Sequence, residues 1–264
     1  MIEIKDIHAG YPGAASEVLK GLSLNIAKGS FTGIIGRNGA GKSTLLKVLC
    51  GLMTHSSGSI LIDGIDIRQL SKKELAKKAA FMPQNTALSF PFSVEEFVLL
   101  GRYPYMNLFK MASEKDRQAV GEVLKFTGIT GLAKRNITEL SGGERQKAFI
   151  AQTIVQETEI MVFDEPTSHL DIGSQNDILE LLDLLNKKYG KTVIATLHDL
   201  NAAGEFCANL VLMEDGAIKN AGTPQQVLNY KDIEKVYDTT VVVKTNPISN
   251  KPYVIPVRKT VNSE

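Results

Sequence analysis

Cysteine is scarce in this sequence: Cys50 and Cys207 are the only two, outside any CxxC pair and not grouped with histidines. That argues against a disulfide framework or a zinc site and fits a reducing cytosol. Charge of one sign is equally lacking, since 30 Lys and Arg face 29 Asp and Glu, for a net charge of +1. No broad positive field would draw in nucleic acid and no like-charge run forms a binding tail, so nucleic acid is not an expected partner. Long apolar runs are missing as well. No segment approaches the ~20 residues that cross a bilayer, so any membrane role is expected to run through a partner. Internal repeats and low-complexity segments are absent. What is present is 264 residues, 43% hydrophobic and 22% charged, enough for one large core or two modest ones.

Apolar patterning gives the organisation. "MIEIKDIHAGY" alternates like a half-buried strand and lacks the basic start and continuous apolar core of a signal peptide. Leu22, Leu24 and Ile26, then Ile60 and Ile62, alternate likewise, and Asp63-Gly64 predicts a hairpin turn before Ile65 and Ile67. Between them, "FTGIIG" reads as a buried strand, followed by a helix from Lys42 that Gly51 ends. From about Asn85 to Gln156 the pattern turns helical, with starts at "SVEE" (Ser93, a capping box) and "SEKD" (Ser113), and Ala119, Val120, Val123, Leu124 and Phe126 at helical spacing. "EIMVFD" and "TVIATLH" then predict parallel strands covered on both faces, separated by the helical "QNDILELLDLLNKKYG". The tail predicts a β-hairpin around Ser249-Asn250. The expected division is an α/β core of residues 1–85 and 156–235, a helical insertion of 86–155, and a hairpin extension of 236–264.

"GRNGAGKS", Gly36 to Ser43, fits GxxxxGK[ST] between a predicted strand and a predicted helix, the setting this phosphate loop requires. Its glycines let main-chain N–H groups face phosphate oxygens, Lys42 supplies a point charge for the β and γ phosphates, and Ser43 offers an oxygen to Mg²⁺. Gly36, Asn38, Gly39, Gly41 and Thr44 complete the predicted ATP contacts. In "IMVFDEP" an apolar strand ends in Asp164, a second Mg²⁺ ligand through water, and the next residue, Glu165, can orient or deprotonate the attacking water. Gln84 and His198 end two further apolar runs. Gln84 can reach Mg²⁺ or the lytic water, and His198 can donate to the γ phosphate. Tyr11, after the first strand, can stack on adenine or simply pack.

A second glycine-rich stretch, "LSGGERQK" from Leu140, lacks the Lys and Ser/Thr of a phosphate loop. Ser141 and Glu144 form a capping box, but two consecutive glycines cost roughly 1 kcal/mol each in a helix relative to Ala. Close approach of an anion to this helix end would explain them. The nucleotide at Lys42 already has its own cradle, so Ser141, Gly142 and Gly143 are expected to serve the nucleotide of a second copy in a two-fold dimer.

These motifs, in this order, make the chain resemble the nucleotide-binding subunits of ABC transporters over about residues 1 to 230. The resemblance implies an α/β fold of the P-loop NTPase kind: a RecA-like, mostly parallel sheet with an antiparallel β subdomain and an inserted α-helical subdomain. It also implies ATP and Mg²⁺ as cofactors, adenine stacking for Tyr11, catalysis by Glu165, sensing of the membrane partner by Gln84, and a contact between the two ATPase subunits shaped by Asp171. His169 stands where the family usually has Ala or Asn, and no catalytic role is assigned to it. The segment "LSFPFSVEEFVLLGRYPYMNLF", Leu88 to Phe109, with "PTSHLD" and the Asn-Pro hairpin, is similar to ATPases that drive import of iron-siderophore, haem or cobalamin. The implied setting is a homodimer on the cytoplasmic face of the membrane, beside two permease subunits and, indirectly, a substrate-binding protein. Alternatives within the family are a soluble assembly ATPase, as for iron-sulfur clusters, or a transporter of another cargo. Tyr103, Tyr105, Met106, Leu108 and Met111 suit an adaptable groove for a partner's helix or packing inside the insertion, and Lys72, Lys73, Lys77 and Lys78 read as a solvated face.

Overall fold

A computed structural model describes residues 1–13, 16–84, 90–106 and 112–258. In chain order the strands and helices begin with β1 (Ile2–Ala9), β2 (Leu19–Ile26), β3 (Phe31–Gly36), α1 (Lys42–Leu49), β4 (Ser57–Ile62) and β5 (Ile65–Asp66). Next come α2 (Lys72–Lys78), β6 (Ala79–Met82), α3 (Val94–Leu99), α4 (Glu114–Phe126), α5 (Gly142–Ile154), β7 (Ile160–Phe163) and α6 (Ile172–Lys187). The chain closes with β8 (Thr192–Thr196), α7 (Leu200–Phe206), β9 (Asn209–Glu214), β10 (Ala217–Gly222), α8 (Pro224–Val227), α9 (Tyr230–Tyr237), β11 (Val241–Thr245) and β12 (Pro252–Pro256). Two compact units result, Met1–Asp66 with Ile194–Glu264, and Ile67–Val193.

In the first unit β2, β1, β4 and β5 form an antiparallel sheet. Ile2 pairs with Ile26 on one side and Ile62 on the other, so the alternating isoleucines share a buried face. Asp6 has φ 50° within a register shift between Ile4 and Ile7. This bulge moves the buried position from residue 6 to Ile7 and keeps the carboxylate in water. A second set of strands has β3 parallel to β9 and β10 antiparallel to β9. Every residue of β3 is buried, as expected of a strand covered on both faces. Ile67 departs from the strand pattern predicted for it: after two strand residues the chain enters a 3-10 turn, burying Ile67 while Ile65 stays exposed. A strand would have put both side chains on one face.

The second unit pairs β6 with β7 in parallel, Ala79 opposite Ile160 through Met82 opposite Phe163. The helices α3, α4 and α5 begin at Ser93, Ser113 and Ser141, each in a full capping box. Their buried faces meet through Val94, Val98, Val120 and Leu124, and the Phe97 and Phe149 rings lie 4.6 Å apart. Among the described residues no helix is long and apolar enough to cross a membrane.

Candidate functional site

The phosphate loop follows β3 directly. Gly41 caps α1 in the left-handed region at φ 94°, where an added Cβ would stand 3.0 Å from Leu19 Cδ2. This conformation turns the chain so that α1 starts at Lys42, whose buried Nζ donates to the carbonyls of Gly36 (2.7 Å) and Arg37 (3.0 Å). A buried ammonium inside a loop of main-chain N–H groups at a helix start has the chemistry of a phosphate cradle. Thr44 is buried one residue past Ser43, and Arg37, Asn38 and Gly39 face outward. Tyr11 lies near the same helix: its hydroxyl is 3.4 Å from Thr44 Oγ1, Lys47 Nζ is 5.9 Å from the ring centre, and 46% of the residue is exposed. An open aromatic face beside the loop suits a base, with adenine as the expected one.

His198 stands exposed just beyond β8. The preceding residue, Leu197, donates its N–H to Ile34 of β3 at 3.1 Å, which holds His198 at the carboxyl edge where Gly36 opens the phosphate loop. That edge is where α/β folds place ligands. Tyr237, which sequence reasoning missed, also belongs here. Burial pushes its phenol up to about 12, against a small opposing effect of the Gly36 main chain, and the hydroxyl is buried without a hydrogen-bond partner among the described residues. No local motif marks it, because the contact joins positions far apart in the chain.

The acidic residues sit in the second unit. Asp164 is buried at the end of β7, with its N–H donated to the Met82 carbonyl of β6 at 2.9 Å. Glu165 follows with φ 52°, a conformation rare for a residue with a side chain. Gln84, just past β6, donates Nε2 to Glu165 Oε2 at 2.6 Å, so the predicted sensor and the predicted base meet directly. The turn after Glu165 is locked by Ser168, whose N–H and hydroxyl both donate to the Glu165 carbonyl, at 3.2 and 3.1 Å. Gln146, buried on α5, donates to the Pro166 carbonyl at 2.6 Å. This tie between signature helix and acidic turn was also missed, although Gln146 lies within the signature stretch itself.

At the head of α5, Ser141 accepts from the Glu144 N–H at 3.4 Å, and Glu144 accepts in return from the Ser141 N–H at 2.9 Å. These bonds, the main-chain one foremost, hold the Glu144 carboxyl below its ordinary value. Among the described residues outside its own helix, an added Cβ at Gly142 would meet only Leu170 Cδ2 at 3.7 Å, an ordinary contact. Gly143 is tighter, 3.3 Å from Ser174 Oγ. Asp171 caps α6, accepting from the Ser174 N–H and hydroxyl at 2.9 Å each, and its carboxyl is lowered chiefly by the main-chain bond. His169 adopts the left-handed region at φ 62° and is exposed.

Of the residues expected to form a partner groove, Tyr103 is 68% exposed. The Tyr105 ring lies 4.4 Å from Arg102 Cζ and 5.4 Å from Lys77 Nζ, and its hydroxyl donates to the Gln156 carbonyl. Lys73 donates to the Met106 carbonyl. Leu108, Met111 and the ends of the Leu88 to Phe109 stretch lie outside the described residues.

Residues 19–168 match the family described as ABC transporter. The ferric enterobactin transport ATP-binding protein FepC of Escherichia coli (strain K12) is 41% identical over 246 residues, which covers 93% of this chain and 91% of that protein. The petrobactin import ATP-binding protein FpuD of Bacillus anthracis is 39% identical over 239 residues, covering 90% and 88%. Among solved structures, the ATP-binding cassette MJ0796, a dimer in a post-hydrolysis state bound to ADP and Pi, matches with a TM-score of 0.75 at 30% identity over 84% of this chain and 98% of that one. With a phosphate loop, an acidic strand end and a signature helix on the P-loop fold with its antiparallel sheet and helical insertion, the chain belongs to the ABC transporter family as an ATP-binding, ATP-hydrolysing subunit.

Proposed function

We propose that this ATPase works as a homodimer on the cytoplasmic face of a membrane importer, in contact with two permease subunits, and that the cargo is an iron-siderophore complex, haem or cobalamin. Whole-length similarity to ATPases named for ferric enterobactin transport and petrobactin import supports the cargo class. The observation that carries the dimer is Gly142. Among the described residues the packing leaves room for a methyl group there, which supports reading the glycine as making way for a ligand that approaches the helix end closely. The nucleotide held at Lys42 of a second copy supplies that ligand.

Gly36, Asn38, Gly39, Gly41, Lys42 and Thr44 bind the phosphates and Tyr11 stacks on adenine. Ser43, Asp164 and Gln84 are hard oxygen donors of the kind Mg²⁺ takes together with substrate phosphates. The ion, when bound, neutralises charge that builds up on the phosphate oxygens. Glu165 accepts the proton of the attacking water while His198 donates a hydrogen bond to a γ-phosphate oxygen. Gln84 bears on the Glu165 carboxylate, so a permease that moves Gln84 changes the base. Asp171 shapes the facing surface of the two ATPase subunits.

A pull-down of tagged chain from detergent-solubilised native membranes tests this reading. A polytopic permease at near-equal amount is the expected result, and recovery from the soluble fraction with no membrane partner would favour an assembly ATPase instead.

A further inference from the structure

His198 is exposed in the short link between β8 and α7, so its direction depends on where α7 is held. Helix α7 has seven residues, too few to be stable on its own, and its placement must come from packing. Asp199 caps it, accepting from the N–H groups of Asn201 (2.8 Å) and Ala202 (3.1 Å). The C-terminal hairpin then grips it. Asn201 Nδ2 donates to the Val254 carbonyl at 3.1 Å, and the Val254 N–H donates to Asn201 Oδ1 at 2.7 Å. This pair of bonds imitates one rung of a β ladder and occupies the main chain of β12. One turn on, the α7 backbone comes so close that a Cβ at Gly204 would lie 3.3 Å from the Pro252 carbonyl oxygen. At the hairpin turn, Ser249 donates to Glu205 Oε2 at 2.7 Å.

The other strand of the hairpin is tied to α9. The Val241 N–H donates to Glu234 Oε1 at 3.0 Å, and the same helix ends at Tyr237. One continuous segment, residues 230–256, therefore grips the helix that continues from His198, and Leu197 just before His198 is hydrogen-bonded to Ile34 of β3, the strand that leads into the phosphate loop.

We propose that this C-terminal segment is a brace that positions His198 relative to the phosphate loop, with Asn201 as the positioning residue through which it acts. The inference rests on the reading of His198 as a γ-phosphate donor. The test is a double-mutant cycle on the full chain, measuring kcat and KM for ATP in His198→Ala, Asn201→Ala and the combination. Asn201→Ala is expected to lower kcat roughly 10- to 100-fold with KM within about twofold, and to have no further effect once His198 is gone. A purely structural loss would lower activity by the same factor in both backgrounds, and that result, or unchanged kcat, overturns the brace. Full activity in His198→Ala would overturn the reading of His198 itself. Should Asn201→Ala fail to fold, Ser249→Ala weakens the same grip at a half-buried position in the hairpin turn and is run through the same cycle.

Discussion

The Glu165 carboxylate is aimed by a backbone that few side chains tolerate. A non-glycine residue held in a sparsely populated region costs on the order of 1–3 kcal/mol, and the bonds from Ser168 to the Glu165 carbonyl and from Gln146 to the Pro166 carbonyl fix the turn against relaxation. Glu165→Gln keeps the shape and removes the base; steady-state hydrolysis should fall roughly 10²- to 10⁴-fold with ATP binding retained. Gly142 yields a prediction of opposite sign for stability and function. Gly142→Ala should leave thermal stability unchanged or raise it by up to about 1 kcal/mol, while ATP-driven dimerisation weakens. A stability loss with normal dimerisation would return the glycine to a packing role. His8 carries a pH dependence of its own. Its Nδ1 lies 2.7 Å from Glu17 Oε2, a hydrogen bond that raises the imidazole above its ordinary 6.5 and lowers Glu17 below its ordinary 4.5. The His8 contribution is therefore whole below pH 6.5 and fades as pH climbs through the raised value. The Glu17 contribution is whole above pH 4.5 and fades as pH falls through the lowered one. Melting temperatures across pH 5 to 9 should lose part of this dependence in Glu17→Gln, and identical profiles would remove the pair from the stability balance.

At the level of elements, legibility followed distance along the chain. The capping boxes at Ser93 and Ser141 could be read because each is complete within four residues, and Gly41 and Lys42 because the phosphate loop is one contiguous stretch. Ser71 with Glu74, at the head of α2, shows the same local signal and was passed over in a lysine-rich stretch read only as solvated. What joins distant elements could not be read. Arg102 is buried, donating to Asp116 Oδ1 at 2.9 Å and to the Val155 carbonyl at 2.8 Å, partners that no spacing rule connects. Its neighbour Gly101 packs so tightly on the end of α5 that a Cβ would stand 2.2 Å from the Gln152 carbonyl oxygen. Gly101→Ala should destabilise the chain by about 1–3 kcal/mol through this overpacking, seen as a lower urea midpoint. An unchanged midpoint would mean that the helix shifts to make room.

On the scale of the whole molecule, the proposed dimer explains why one chain carries two different glycine-rich helix starts. The loop around Lys42 and the helix start at Ser141 are each well formed, and among the described residues the packing around Gly142 leaves room for a methyl group. A net charge of +1 gives two copies little mutual repulsion, and on the proposed reading the nucleotide is the link between them. The most direct measurement is sedimentation velocity of the Glu165→Gln chain with Mg²⁺ and either ATP or ADP, alongside Glu165→Gln combined with Ser141→Arg. The account predicts a dimer with ATP alone, monomer with ADP, and monomer with ATP in the Ser141→Arg combination despite normal nucleotide binding. A dimer that forms equally with ADP, or one that ignores Ser141→Arg, would contradict it.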